Sequence, residues 1–218
     1  MNARGVRRAA IGALLALAAC TQHSSTATPP SSPAPPVGST GPFRPGDMAS
    51  IELTPRDAPA GLGYVAAFSG DEDIVSFARD ATEEQHLADD GFLSANGAVF
   101  VPADRVDGGK LTPRDPIVQS TLVVFSRGVG ASSTLRRYVA DLRDRQLTGT
   151  SAGAAPPLGD EAYRLDGTNA DGSAVTAFAW RRGNLVLVVL GTSFPPAHIL
   201  RLATLLDARA ATAEPAAP

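Results

Sequence analysis

Residues 173–190 read SAVTAFAWRRGNLVLVVL, and this stretch decides the fold. Its first eight residues carry Val, Thr, Phe and Trp, which suit a pleated strand. Arg181-Arg182-Gly183-Asn184 then makes a tight hairpin turn, because Gly183 is free to take the positive φ that such turns need. Beyond the turn, residues 185–190 are apolar at every position. A strand with one wet face alternates, so this one is expected at the centre of a sheet covered on both sides.

Working outward, residues 161–165 supply a third strand of the same meander, and Ile117–Phe125 is a strand rich in β-branched residues. Residues 51–54 and 98–101 read as two short strands, closed by Pro55 and Pro102. Apolar residues at helical spacing predict a helix over 71–87, with Ile74, Phe77, Ala78 and Ala81 on one face. A second helix is expected from a Ser132 or Ser133 cap to about Arg145, and a third from Pro195-Pro196, with Ile199, Leu202, Ala203 and Leu206 in its stripe. Residues 103–116 and 146–157 read as loops. The expected class is α+β, a largely antiparallel sheet with about three helices. Residues 122–125 and 187–190, each followed by a Leu-Arg pair in a helix, suggest an internal repeat.

The ends of the chain differ from this body. Residues 1–19 join a positive start (Arg4, Arg7, Arg8) to an apolar run that is too short for a hydrocarbon core, which takes about 20 residues. This is the pattern of an export signal. Residues 21–47 hold seven Pro with Ser and Thr between them and offer too little apolar surface to offset ordering entropy. The organisation expected is therefore a leader over 1–19, Cys20 and a disordered Pro-rich linker over 20–47, a folded domain over 48–209, and a disordered tail over 210–218. The linker could extend about 80 Å at ~3.1 Å per residue.

Of 218 residues 44% are hydrophobic and 19% charged, with a net charge of −3 and one Cys. A single Cys excludes an intramolecular disulfide framework, and three scattered His disfavour a multi-His metal centre. The acidic balance argues against nucleic acid. Losing residues 1–19 would leave 16 basic against 22 acidic residues, a net charge of −6 that disfavours attachment to anionic lipid by charge alone.

Several motifs suggest chemistry, and each has a plainer reading. Ser126-Arg127-Gly128-Val129-Gly130-Ala131-Ser132-Ser133 lies between a strand and a helix, where phosphate could meet backbone N–H groups. It lacks the third Gly of the dinucleotide fingerprint and the Gly-Lys of a Walker loop. Residues 166–173 (DGTNADGS) approach a calcium loop, but the acidic spacing is wrong and no Glu closes it. Glu83 and His86 have metal-ligand spacing on a helix without a second copy. Asp71-Glu72-Asp73 fits a helix N-terminus. No Gly-x-Ser-x-Gly is present, His198 falls inside the last helix, and the adjacent Asp160 and Glu161 would point to opposite faces of a strand. No motif implies a cofactor or a metal.

Leu17-Ala18-Ala19-Cys20 resembles the lipobox of bacterial lipoproteins. The resemblance implies cleavage by signal peptidase II between Ala19 and Cys20, and a diacylglyceryl, palmitate-bearing Cys20 that anchors the chain to the cell membrane outside the cytoplasm. Eighteen Arg against one Lys fits a high-GC, actinobacterial source. Residues 156–209, with Leu158-Gly159-Asp160-Glu161-Ala162 and Trp180-Arg181-Arg182-Gly183-Asn184, are similar to extracytoplasmic domains of actinobacterial lipoproteins and to the external sensor domains of some mycobacterial serine/threonine kinases. The function expected is non-enzymatic binding of a ligand or envelope protein. Its candidate contacts, chosen by loop position, are Arg127, Gly128, Gly130, Trp180, Arg181 and Arg182. The alternative is an envelope hydrolase with an unrecognised site.

Overall fold

The computed structural model describes residues 42–214. The expectations for the leader, Cys20 and the linker up to residue 41 lie outside the described residues. Five helices, α1 (Met48–Ile51), α2 (Ile74–Phe77), α3 (Ala81–Asp89), α4 (Gly128–Asp141) and α5 (Pro196–Ala213), flank eight strands. The strands are β1 (Leu62–Tyr64), β2 (Gly70–Glu72), β3 (Phe92–Pro102), β4 (Ile117–Phe125), β5 (Thr148–Gly153), β6 (Glu161–Thr168), β7 (Ala174–Arg182) and β8 (Leu185–Thr192). They form one sheet in the order β1-β3-β4-β8-β7-β6-β5, every pairing antiparallel, with β2 sharing the β3 edge with β1. The class is α+β, as the sequence indicates.

The all-apolar strand sits at the centre. Every residue of β8 is buried, and the strand is flanked by β4 and β7. Alternation divides it between two cores. Leu185, Leu187 and Val189 pack on one face with Phe178 and Trp180 of β7, α5 and the N-terminal segment. Val186, Val188 and Leu190 pack on the other with Leu135, Val139 and Leu142. Fully burying a side chain of this kind contributes about 1.5–3 kcal/mol, so these two layers hold the domain together. Arg182 pairs with Leu185 across a two-residue turn in which Gly183 has φ +56°, the positive φ at the first position that a II′ hairpin requires.

Five expectations need correction. Residues 51–54 are not a strand: Ile51 ends α1, and Met48, Ile51 and Leu53 are all at most 1% exposed beneath α5. The expected linker runs too far, because Phe43 is 2% exposed and already part of that core. The helix over 71–87 breaks in two because Asp73 and Asp80 each cap a separate N-terminus, accepting from the N–H groups of Ser76 and Glu83. Residues 148–153 form an edge strand on β6 rather than a loop, held by backbone pairing that their small side chains do not advertise. The last helix continues to Ala213, with Ala210 fully buried, past the expected start of the tail.

The apparent repeat is confined to strands. β4 and β8 run antiparallel and pair Leu122 with Leu187 and Val123 with Val186, and the paired residues share faces. The helices that follow go to opposite faces, α4 to one and α5 to the other. No helix among the described residues is long and apolar enough to cross a membrane.

Candidate functional site at the hairpin end of the sheet

The β7–β8 turn, the start of β6 and the start of α4 meet at one end of the sheet. Two glycines allow that approach. A Cβ on Gly128 would lie 3.2 Å from the Gly183 carbonyl oxygen, and one on Gly130 only 1.8 Å from that of Asp90. The helix therefore begins at Gly128 rather than at a serine cap, and the glycine loop serves close packing. Ser132, expected as the cap, instead lies within α4 and donates to Glu161 Oε2 at 2.8 Å.

Glu161 is the hub of this end. Its carboxylate also accepts from Arg136 Nε at 2.9 Å and Tyr163 OH at 2.8 Å, and Arg181 Nε lies 3.6 Å away. Burial pushes Glu161 up, but the hydrogen bonds from Arg136, Ser132 and Tyr163 outweigh it and hold the carboxyl below its ordinary range. Tyr163 is pushed up, first by burial and then by its bond to Glu161. Glu161 is thus a fixed anion and Tyr163 a fixed neutral donor, an arrangement suited to holding elements in place rather than to shuttling protons.

Asp160 and Glu161 do not point apart, because Asp160 lies just outside the strand. Asp160 Oδ2 accepts from the Gly183 N–H at 2.7 Å and from Arg181 Nη1 at 3.1 Å, so both carboxylates converge on Arg181. Gly159, at φ +50°, lets the chain cross beneath; a Cβ there would lie 2.2 Å from the Arg181 oxygen. The Leu158–Ala162 and Trp180–Asn184 motifs are two halves of one joint.

The same joint receives the N-terminal segment. Asn184, 1% exposed, accepts from the Phe43 N–H at 2.9 Å and donates to the carbonyls of Phe43 and Phe125. No feature of the sequence foretells this, beyond a polar residue at the head of an apolar strand.

The structure separates the six candidate contacts. Gly128 and Arg181 meet at the joint, while Gly130 presses on the Asp90 backbone. Trp180 and Arg182 lie on the opposite face, where Trp180 is 0% exposed and its Nε1 donates to Asp207 at 3.1 Å. Arg182 forms ion pairs with Asp207 at 3.0 Å and Glu214 at 3.4 Å, fastening α5 to the sheet. Arg127 alone among the six is exposed.

The other motifs resolve into structure. Residues 169–173 are a polar turn in which Asn169 and Asp171 both accept from the Ser173 N–H. Glu83 is bound by Arg79. His198 is exposed and packs on Phe194, with ring centroids 5.4 Å apart. No group of three or more His, Cys, Asp or Glu gathers to hold a metal among the described residues. A shallow hollow of about 450 Å³ between α1 and α5 is lined by Ser50, Ala208, Arg209, Thr212 and Ala213. Its polar groups are engaged: Arg209 with Glu52 O and Asp57, Ser50 with Asp47 O, and Thr212 with Ala208 O.

No protein-family model and no curated protein matches the chain. Among solved structures, the fold is similar to the extracellular domain of PknH from Mycobacterium tuberculosis, with a TM-score of 0.50 and 11% identity, over 80% of this chain and 100% of that one. The likeness expected over residues 156–209 is thus a likeness of fold across most of the chain.

Proposed function

We propose that the chain is a lipid-anchored, non-enzymatic module that binds a ligand or protein partner outside the cytoplasm. Cys20 carries the acyl groups and the Pro-rich segment after it is the tether. The folded domain, displayed from Phe43 onward, makes the contact. The observation that carries this reading is the position of the single cysteine, directly after a charged and apolar leader and two small residues. One acyl chain gives marginal membrane binding, at about 0.8 kcal/mol per buried CH₂, and two hold stably; a diacylglyceryl cysteine supplies two.

Two features of the domain support binding rather than catalysis. Its fold resembles an extracellular domain, and the carboxylates at its hairpin end are neutralised by arginines. Of the six loop positions, Arg127 stays available for contact. The test is metabolic labelling of cells with a palmitate analogue, comparing wild type with Cys20→Ala. Label on the wild type and none on the variant is the expected result. Mass spectrometry that finds Cys20 as a free thiol behind an intact leader would overturn the anchor.

A further inference from the structure

The two edges of the sheet are finished differently. On the β3 side, β1 and β2 are three residues each, and β2 carries Asp71 and Glu72. Short strands and charge are what keep an edge from pairing with another chain. The other edge is β5, whose six residues read Thr-Gly-Thr-Ser-Ala-Gly without a charge or a Pro, and β5 pairs only with β6. The irregularity in that pairing lies between Thr148 and Ser151, so residues 151–153 run in regular register beside 164–166. Their outward backbone groups form no hydrogen bond among the described residues.

A charged head lies on this open edge. Ser151, Asp166 and Thr176 form one row across β5, β6 and β7, and Gly153, Arg164 and Phe178 form the next row on the same face. The Arg164 side chain is laid over Gly153: a Cβ there would lie 2.8 Å from Arg164 Cδ and 3.1 Å from its Nε. The guanidinium carbon stands 5.8 Å from the centre of the Phe178 ring, a cation–π distance. Nε lies 2.8 Å from Asp166 Oδ2, and the other oxygen of that carboxylate accepts from Thr176 at 2.8 Å. Nε is buried there without a hydrogen bond, and Nη1 and Nη2 form none among the described residues either. The side chain keeps 34% of its surface exposed, so the outer prongs of the fork face solvent. Gly153, Phe178 and Asp166 hold the head in place beforehand, which lowers the cost of ordering it on binding.

We propose that β5 and Arg164 together bind an extended acidic segment of a partner protein, which adds a strand to the β5 edge and sets a carboxylate on the Arg164 fork. In strand addition the main-chain hydrogen bonds supply affinity and the side-chain contacts supply selectivity. A planar guanidinium takes a carboxylate through two parallel N–H···O bonds. Charge complementarity chooses the occupant. A second copy would bring its own Arg164 to the same narrow edge, cation beside cation, and residues 21–41 of this chain hold no Asp or Glu to offer. The inference rests on the reading of the domain as a binding module and not on the anchor.

The probe is a short end-blocked peptide of alternating Val and Thr with one central Glu, titrated into the full chain and followed by calorimetry and backbone hydrogen exchange. Saturable 1:1 binding is expected, with exchange slowed across Thr148–Gly153. Replacing the peptide's Glu by Gln, or Arg164→Gln in the protein, should each weaken binding by about tenfold. Gly153→Ala keeps the charge but displaces the head, so it should weaken binding by about threefold, and it decides the matter if Arg164→Gln does not fold. Glu161→Gln leaves binding intact. No saturable binding to folded wild type, equal binding by Arg164→Gln, or protection confined to other strands would overturn the proposal. So would a dimer whose β5 amides are protected without peptide, because a second copy would then hold the edge. The anchor plays no part in this titration, so failure here leaves the palmitate result as it stands.

Discussion

Two polar clusters join separate segments of this domain, and they are satisfied to different degrees. At the hairpin end Glu161 faces Arg136 and Arg181, and Asn184 spends both its oxygen and its amide hydrogens on backbone groups. At the β2–β3 edge Asn96 donates to Asp71, and the oxygen of the same amide has no partner. The hairpin cluster turns most of its polar atoms on one another, although Arg181 Nε is buried without a hydrogen-bond partner. A buried acceptor left unmade, as Asn96 Oδ1 is, costs the fold about 1–3 kcal/mol.

The sharpest way to break this comparison is Asn184→Leu. It strands three backbone groups in the core and releases the N-terminal segment that carries Phe43, at a cost of about 3 kcal/mol or more. Urea denaturation measures it, and a loss below about 1 kcal/mol would show that the segment contributes little. Glu161→Gln comes next, at about 1 kcal/mol near neutral pH after allowing for partial exposure. The folded-state pKa of Glu161 is lowered. Its stabilisation is therefore present above the ordinary glutamate pKa and is lost as pH falls through the lower folded value. The variant's deficit should accordingly fade in acid.

The smallest effect has the opposite sign. The folded-state pKa of Glu52 is raised, so its contribution favours the fold below the ordinary glutamate range and is lost as pH rises through the raised value. Near neutral pH, Glu52→Gln should stabilise the protein by about 0.5 kcal/mol, discounted for solvent screening. Paired stability-versus-pH curves for the two variants would show the contrast directly. Parallel curves would erase it.

Much of this was legible in the residues, though unevenly. The unbroken apolar run Leu185–Leu190 announces a strand covered on two sides, and Gly183 marks the turn before it. Period-two alternation also separates Arg181 from Trp180 and Arg182, a signal that choosing contacts by loop position passes over. Asn96, the one strongly polar residue in an otherwise small or apolar part of β3, is a comparable flag. By contrast, Thr148–Gly153 carries too little side-chain character to be told from a loop, and its pairing with β6 comes from the backbone. The glycines of residues 126–133 look like a phosphate cradle because sequence does not reveal that Asp90 and Gly183 press against them.

What the chain determined by itself is the local part: the α+β class, the central strand and its hairpin, and the leader-like start with its single cysteine. These follow from periodicity, turn chemistry and composition, which act between near neighbours. The folded structure alone decided that Phe43 belongs to the core, that Glu161 joins Ser132, Arg136 and Arg181, and that Asp71 meets Asn96. Those meetings join residues up to 141 positions apart, and they form only once the two cores have packed and brought distant segments to the same end of the sheet.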